Sequence, residues 1–218
     1  MKLVTFQSVE AFDILNKKGV LVTDERCIDF PRYKEPYDFI VKNMLEKGLW
    51  PSEGQRYPIW AWVKCGAHIG PKKIPNKAHK VQNKVKIIFE KEDSDVLVSD
   101  YMAYSFILSG QIVPKTKAEY VRFEEDLEIW GISKEELKAW VRGENNSKIP
   151  VQKIRETWKN IFNLKSNVYQ GGIWQIRKEE IIGVDRLEDD AYLYGSMNAV
   201  RTDGTRPDWK QRYLKFLR

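Results

Sequence analysis

The chain has 218 residues, 42% of them hydrophobic and 31% charged, with a net charge of +6. That length and balance describe a soluble globular protein that buries a core without staples, and exclude a disordered or fibrous chain. No apolar run approaches the roughly 18–20 residues that span a bilayer, and the first residues lack the apolar stretch of a secretory signal, so no membrane role is expected.

Leu3 to Phe6 reads as a strand with Gln7 at its end. Ser8 is placed to cap a helix over 9–18, and Gly19 to end it, before an extended Val20-Leu21-Val22. Residues 27–36 read as a loop, with Pro31 and Pro36 as punctuation. Tyr37, Ile40, Val41, Met44 and Leu45 then recur at helical spacing up to Gly48.

The next stretch, Tyr57-Pro58-Ile59-Trp60-Ala61-Trp62-Val63-Lys64-Cys65, reads as a strand opened by proline. Ile59, Ala61, Val63 and Cys65 fall on one face, and Trp60, Trp62 and Lys64 on the other. The first face suits a core. The second can cover a helix or floor a pocket for a flat ligand; aromatic residues are most often simply core.

Seven lysines (64, 72, 73, 77, 80, 84 and 86) and no acidic residue lie between Lys64 and Lys86. Lys72, Lys73, Lys77, Lys80 and Lys84 are the candidate phosphate or nucleic-acid contacts of this long Gly/Pro/Lys connection, which otherwise reads as a solvated loop. Val85, Ile87 and Phe89 alternate as a strand, and Val96 to Val98 form another that ends in Ser99-Asp100. Tyr104, Ile107 and Leu108 suggest a short helix. Thr116-x-x-Glu119 and Ser133-x-x-Glu136 are two capping boxes, and Pro150 opens a third helix carrying Trp158. Trp130, Trp140 and Trp158 sit at apolar helical positions and read as core. Gly171-Gly172 reads as a hinge or turn, and the segments around Trp174-Gln175 and 181–187 as a final hairpin.

The order of elements predicts an α+β fold: a mixed, partly antiparallel sheet with flanking helices and a helical insertion around 115–163. Residues 1–187 read as a single domain. Residues 188–218 read as a basic C-terminal extension, with a short helix near its end that docks or meets a protein partner.

No dinucleotide fingerprint, phosphate loop, nucleophile elbow or HExxH is present. His68 and His79 are the only histidines, and with Cys65 they give three ligands where structural zinc takes four, so no metal is expected. Two cysteines, Cys27 and Cys65, give no disulfide framework, and a reduced cytoplasmic setting is expected.

The N-terminal strand ending in Gln7, Asp29-Phe30-Pro31, Tyr37-Asp38, the run YPIWAW at 57–62 and Val96-Leu97-Val98-Ser99-Asp100 together resemble a bacterial family known as a domain of unknown function. The Trp158 helix and Trp174-Gln175 extend that resemblance, which covers roughly residues 3–187. The strand–helix–Gly–strand opening is also similar to the ADP-ribosyltransferase fold. That similarity implies an NAD cofactor and a nucleic-acid or protein target. It places Gln7 in the ribose-gripping role, Tyr57 or Trp60 and Trp62 beside the nicotinamide, Lys64 near the phosphates, and Gln175 near the reacting carbon. Those enzymes carry His or Arg at the first position. Gln175 is neutral and cannot act as a base or stabilise a developing cation by charge, so a non-catalytic NAD-binding role is consistent with the similarity. The alternative is a non-enzymatic nucleic-acid- or protein-binding module.

Overall fold

A computed structural model describes residues 1–23, 33–52, 54–65, 84–144, 147–187 and 209–217. Two sheets and two helical layers make an α+β fold, as the order of elements predicts. The main sheet contains β1 (Lys2–Ser8), β3 (Ile59–Cys65), β4 (Lys84–Glu90), β5 (Leu97–Asp100), β6 (Val168–Ile173) and β8 (Ile181–Leu187), in the order β5-β6-β3-β1-β4-β8. β2 (Val20–Val22) and β7 (Gln175–Arg177) form a small second sheet. Every pairing among these strands is antiparallel.

The strand residues alternate between two cores. On one face Leu3, Ile59, Ala61, Val85, Ile87, Phe89 and Ile173 pack with Leu15 of α1 (Val9–Lys18) and with Leu21 and Ile176 of the small sheet. Ser8 caps α1 by accepting from the Ala11 amide, and Gly19 ends it at φ 77°, a left-handed backbone that glycine adopts without strain. On the other face Leu97 and Val168 pack against α2 (Lys34–Glu46), α3 (Tyr101–Ile107), α4 (Lys117–Ile129), α5 (Lys134–Val141) and α6 (Val151–Trp158). Helices α3 to α6 lie between the adjacent strands β5 and β6, and α4 to α6 are the expected insertion. A final helix, α7 (Trp209–Leu214), packs on α3.

Trp140 and Trp158 are buried, as their helical positions predict, and the Trp158 indole N–H donates to the Gln111 carbonyl at 2.9 Å. Ser133 and Glu136 form the complete capping box. The box at Thr116 is half made: Thr116 accepts from the Glu119 amide, but the Glu119 carboxylate accepts from the Lys115 amide at 2.7 Å.

Three readings are corrected. Pro36 lies inside α2, in its first turn, where the missing amide proton costs no helical bond. Gly171 and Gly172 are not a turn but the centre of β6, paired with Ala61 and Trp60. A Cβ on Gly171 would meet Val96 Cγ1 at 2.6 Å, so close packing, not a bend, requires glycine there. The final hairpin is also absent: after Trp174 the chain leaves the main sheet, β7 pairs with β2, and β8 returns to pair with β4.

Candidate functional site

The site is built from β3 and the start of α3. Register places Trp60 opposite Gly172 and Trp62 opposite Gln170. These positions share the face that looks towards the helices. Gly172 carries no side chain beside Trp60, and α2 comes down over it, with Met44 Sδ 3.5 Å from where a Cβ would stand.

Asp100 fixes where α3 begins. Its Oδ1 accepts from the Met102 and Ala103 amides at 3.0 and 3.1 Å, capping the helix. Ser166 donates its amide to Oδ2 at 2.6 Å and its hydroxyl to Oδ1 at 2.7 Å. Burial raises the Asp100 carboxyl above its usual range, and the bonds from Ser166 and the helix amides pull it back. The side chain is therefore an anchor. It starts the helix so that Tyr101 meets Trp62 (centroids 4.7 Å apart, 60° between planes) and Tyr104 meets Trp60 (5.3 Å, 46°).

Tyr37, on the first turn of α2, completes the ring cluster. Its ring lies 6.3 Å from Trp60 and 5.4 Å from Tyr57. Between these rings is a cavity of about 180 Å³. Trp60, Ala61 and Trp62 line it from β3, Gln170 from β6, Tyr101, Tyr104 and Leu108 from the α3 side, Tyr37 from α2 and Tyr33 from the position just before that helix. Trp60, Trp62, Tyr33 and Tyr37 are partly exposed, so the cavity is reached from outside. A dry cavity of about 150 Å³ accepts benzene, so this one has room for a single aromatic ring.

The polar content is small. Gln170 is buried, and its Nε2 donates to Ser99 Oγ at 3.4 Å. The Tyr104 hydroxyl is buried and has no hydrogen-bond partner among the described residues. Burial pushes the Tyr104 phenol well above its usual range, and proximity to Tyr37 and Tyr33 adds to the shift. No acidic or basic side chain lines the cavity among the described residues.

The structure therefore brings together two of the expected residues, Trp60 and Trp62. Tyr57 is 1% exposed and packs under Tyr37, outside the cavity lining. Val4 pairs with Trp62, so Thr5 and Gln7, which alternate with it, take different faces from the tryptophans' neighbours: Gln7 shares the α1 side with Thr5. Gln7 Nε2 donates to Thr5 Oγ1 at 2.8 Å, and that hydroxyl donates to the Trp60 carbonyl at 2.9 Å. Gln175 stands in the small sheet opposite Val22. In the orientation that satisfies its amide, its nitrogen donates to Ser52 Oγ at 2.9 Å and its oxygen accepts from Arg177 at 3.2 Å. Lys64 is the penultimate residue of β3 and Lys84 begins β4; their side chains, with Lys72, Lys73, Lys77, Lys80, both cysteines' side chains and both histidines, lie outside the described residues.

Sequence reasoning missed Tyr33, Tyr37, Tyr101, Tyr104 and Gln170. The Tyr101-x-x-Tyr104 spacing behind a Ser-Asp cap was the available signal, since it puts both rings on one helical face. No helix among the described residues is long and apolar enough to cross a membrane. A family model described as Domain of unknown function (DUF3841) matches residues 2–182. No curated protein and no solved structure matches the chain.

Proposed function

The chain belongs to the family described as a domain of unknown function (DUF3841), and from that premise we propose that it is an ADP-ribosyltransferase-like protein that binds NAD, with the nicotinamide ring received in the aromatic cavity. The observation that carries this reading is the cavity itself. Two tryptophans and four tyrosines surround a volume the size of one ring. Stacking on such side chains is worth about 1–3 kcal/mol per base.

The reading weighs towards binding more than transfer. Gln7 supports Trp60 from behind through Thr5, and Gln175 is occupied by Ser52 and Arg177. Neither carries charge towards the cavity, and a developing oxocarbenium ion needs negative charge close by. A target that carries phosphates, held by the lysines of the 64–86 stretch, fits the same reading.

Thermal midpoints with NAD, nicotinamide and ADP-ribose test it. A ligand that binds only the folded state stabilises it by mass action, by about 2.7 kcal/mol at a hundred times its Kd, and so raises the midpoint. NAD and nicotinamide are expected to raise it, and Trp62→Ala to abolish the rise. A wild-type midpoint unmoved by millimolar NAD overturns the reading. The second reading, a nucleic-acid-binding module, rests on the seven lysines without an acid between Lys64 and Lys86, on the strand that carries both tryptophans and beyond it. Its mark is affinity for RNA or DNA that falls steeply with salt as counterions are released.

A further inference from the structure

We infer that α7 is a strap whose docking holds α3, and with it the Tyr101 and Tyr104 side of the cavity, in place, so that α7 and α3 open as one unit ahead of the rest of the fold. It stands apart from the ring-binding reading, because packing alone carries it.

Three observations support it. First, α3 packs more extensively on α7 than on any other single element, and α7 has no other extensive contact among the described residues. The Tyr213 ring meets Phe106 of α3 at 5.7 Å, 67° between planes, and Leu214 and Leu217 are buried in the same cluster. Phe106 is fully buried, with Tyr120 of α4 also 5.7 Å away. Lys210 adds a polar clip. Its Nζ donates to Gln111 Oε1 at 2.6 Å, and Gln111 Nε2 donates to Glu124 of α4 at 3.0 Å.

Second, neither helix stands by itself. α3 has seven residues and α7 six, far below the roughly 12–15 at which an isolated helix is even marginal in water. Six of the seven residues of α3 are buried, so its neighbours set its shape. α7 takes its shape from α3 in turn, and docking and helix formation at 209–214 are one event.

Third, α3 joins the strap to the cavity. At about 100° per residue, Phe106 projects from a different side of the helix than Tyr101 and Tyr104. Phe106 meets the strap, while Tyr101 meets Trp62 and Tyr104 meets Trp60. Asp100 fixes the first turn of α3 through the Met102 and Ala103 amides, and the strap holds the last turn, where Phe106 stands. Whatever draws 209–217 away therefore loosens Tyr104 against Trp60. By linkage, a guest that needs both tyrosines in place steadies the strap in return.

Native-state hydrogen exchange of the full chain in low urea, read peptide by peptide, makes the test. In the wild type, 101–110 and 209–217 are expected to open together, ahead of 9–18, whose Leu15 lies in the other core. Tyr213→Ala is expected to speed exchange in both peptides at least about tenfold and to leave 9–18 at the wild-type rate. Phe216→Ala, in the same segment but 42% exposed, is expected to change neither. Faster exchange at 209–217 with 101–110 unmoved overturns the inference and makes α7 a passive appendage. Equal acceleration at 9–18 also overturns it, since Tyr213 then holds the whole fold and no separate unit exists. Should Tyr213→Ala fail to fold, the wild type decides alone: 101–110 opening only at the rate of 9–18 overturns the inference.

Discussion

Tyr104 is a hydroxyl kept in an unfavourable place. A buried O–H without a partner costs about 1–3 kcal/mol, whereas its removal leaves the ring contact with Trp60 intact. Tyr104→Phe is therefore expected to raise stability by about 1 kcal/mol in urea unfolding at pH 7. A loss of more than that amount would show the hydroxyl to be bonded to a group outside the described residues. The same residue sets a pH dependence. Its folded pKa is raised, by burial first, above the ordinary value near 10. Its share of stability is thus complete below about pH 10 and is lost as pH climbs towards the folded value, at up to about 1.4 kcal/mol per pH unit. The phenylalanine variant should unfold at a higher alkaline pH than the wild type; identical alkaline midpoints would contradict this. Gly171 makes the opposite case. A methyl group there meets Val96 at 2.6 Å, so Gly171→Ala is expected to cost about 1–3 kcal/mol, although alanine suits a strand better than glycine does.

The elements divide sharply into those the sequence shows and those it hides. Local chemistry marks α1 at both ends, with Ser8 and Gly19, and α5 at its start, with Ser133 and Glu136. Alternation marks β3 and β4 residue by residue, because one side of each strand must face apolar neighbours. What stays hidden is tertiary. Gly171-Gly172 carries the signature of a turn, and only the approach of Val96 and of α2 reveals why glycine is needed in a straight strand. β6 ends at Ile173 in one sheet and β7 begins at Gln175 in another, a switch that no local preference encodes. Half the cavity was readable, since the tryptophan face follows from period two. The other half comes from α2 and α3, whose tyrosines meet that face only after the chain has closed. Asp100 links the halves. Asp100→Ala leaves the Met102, Ala103 and Ser166 amides without their acceptor and is expected to cost about 3–5 kcal/mol. It should also weaken ligand binding, since Tyr101 and Tyr104 lose their fixed start. A variant as stable as wild type would show that α3 is held by packing alone.

At the scale of the whole molecule, the last helix belongs to the same core as the cavity. Tyr213 is 1% exposed and its ring meets Phe106 of α3 at 5.7 Å. Leu214 and Leu217 are buried beside it, and Lys210 Nζ donates to Gln111 Oε1 at 2.6 Å. This helix lies beyond residues 2–182 that the family model matches. Deleting 188–218 removes three buried side chains at about 1.5–3 kcal/mol each. A loss of roughly 4.5–9 kcal/mol is expected in urea unfolding, and an unchanged midpoint would show that residues 1–187 stand alone. The tail thus bears on the same helix that presents Tyr101 and Tyr104. The sheet presents the tryptophans, α3 two of the tyrosines, and α7 packs on α3.

The measurement that bears most directly on this account is a calorimetric titration of oxidised NAD into the wild type, Trp62→Ala and Trp50→Ala. Trp50 is 68% exposed and lies outside the cavity, so it serves as the matched control. Saturable binding is expected to the wild type and to Trp50→Ala, and at least a tenfold loss in Trp62→Ala, about 1.4 kcal/mol or more. No heat with the wild type, or equal affinity in all three proteins, would contradict it and remove the aromatic cavity as the NAD site.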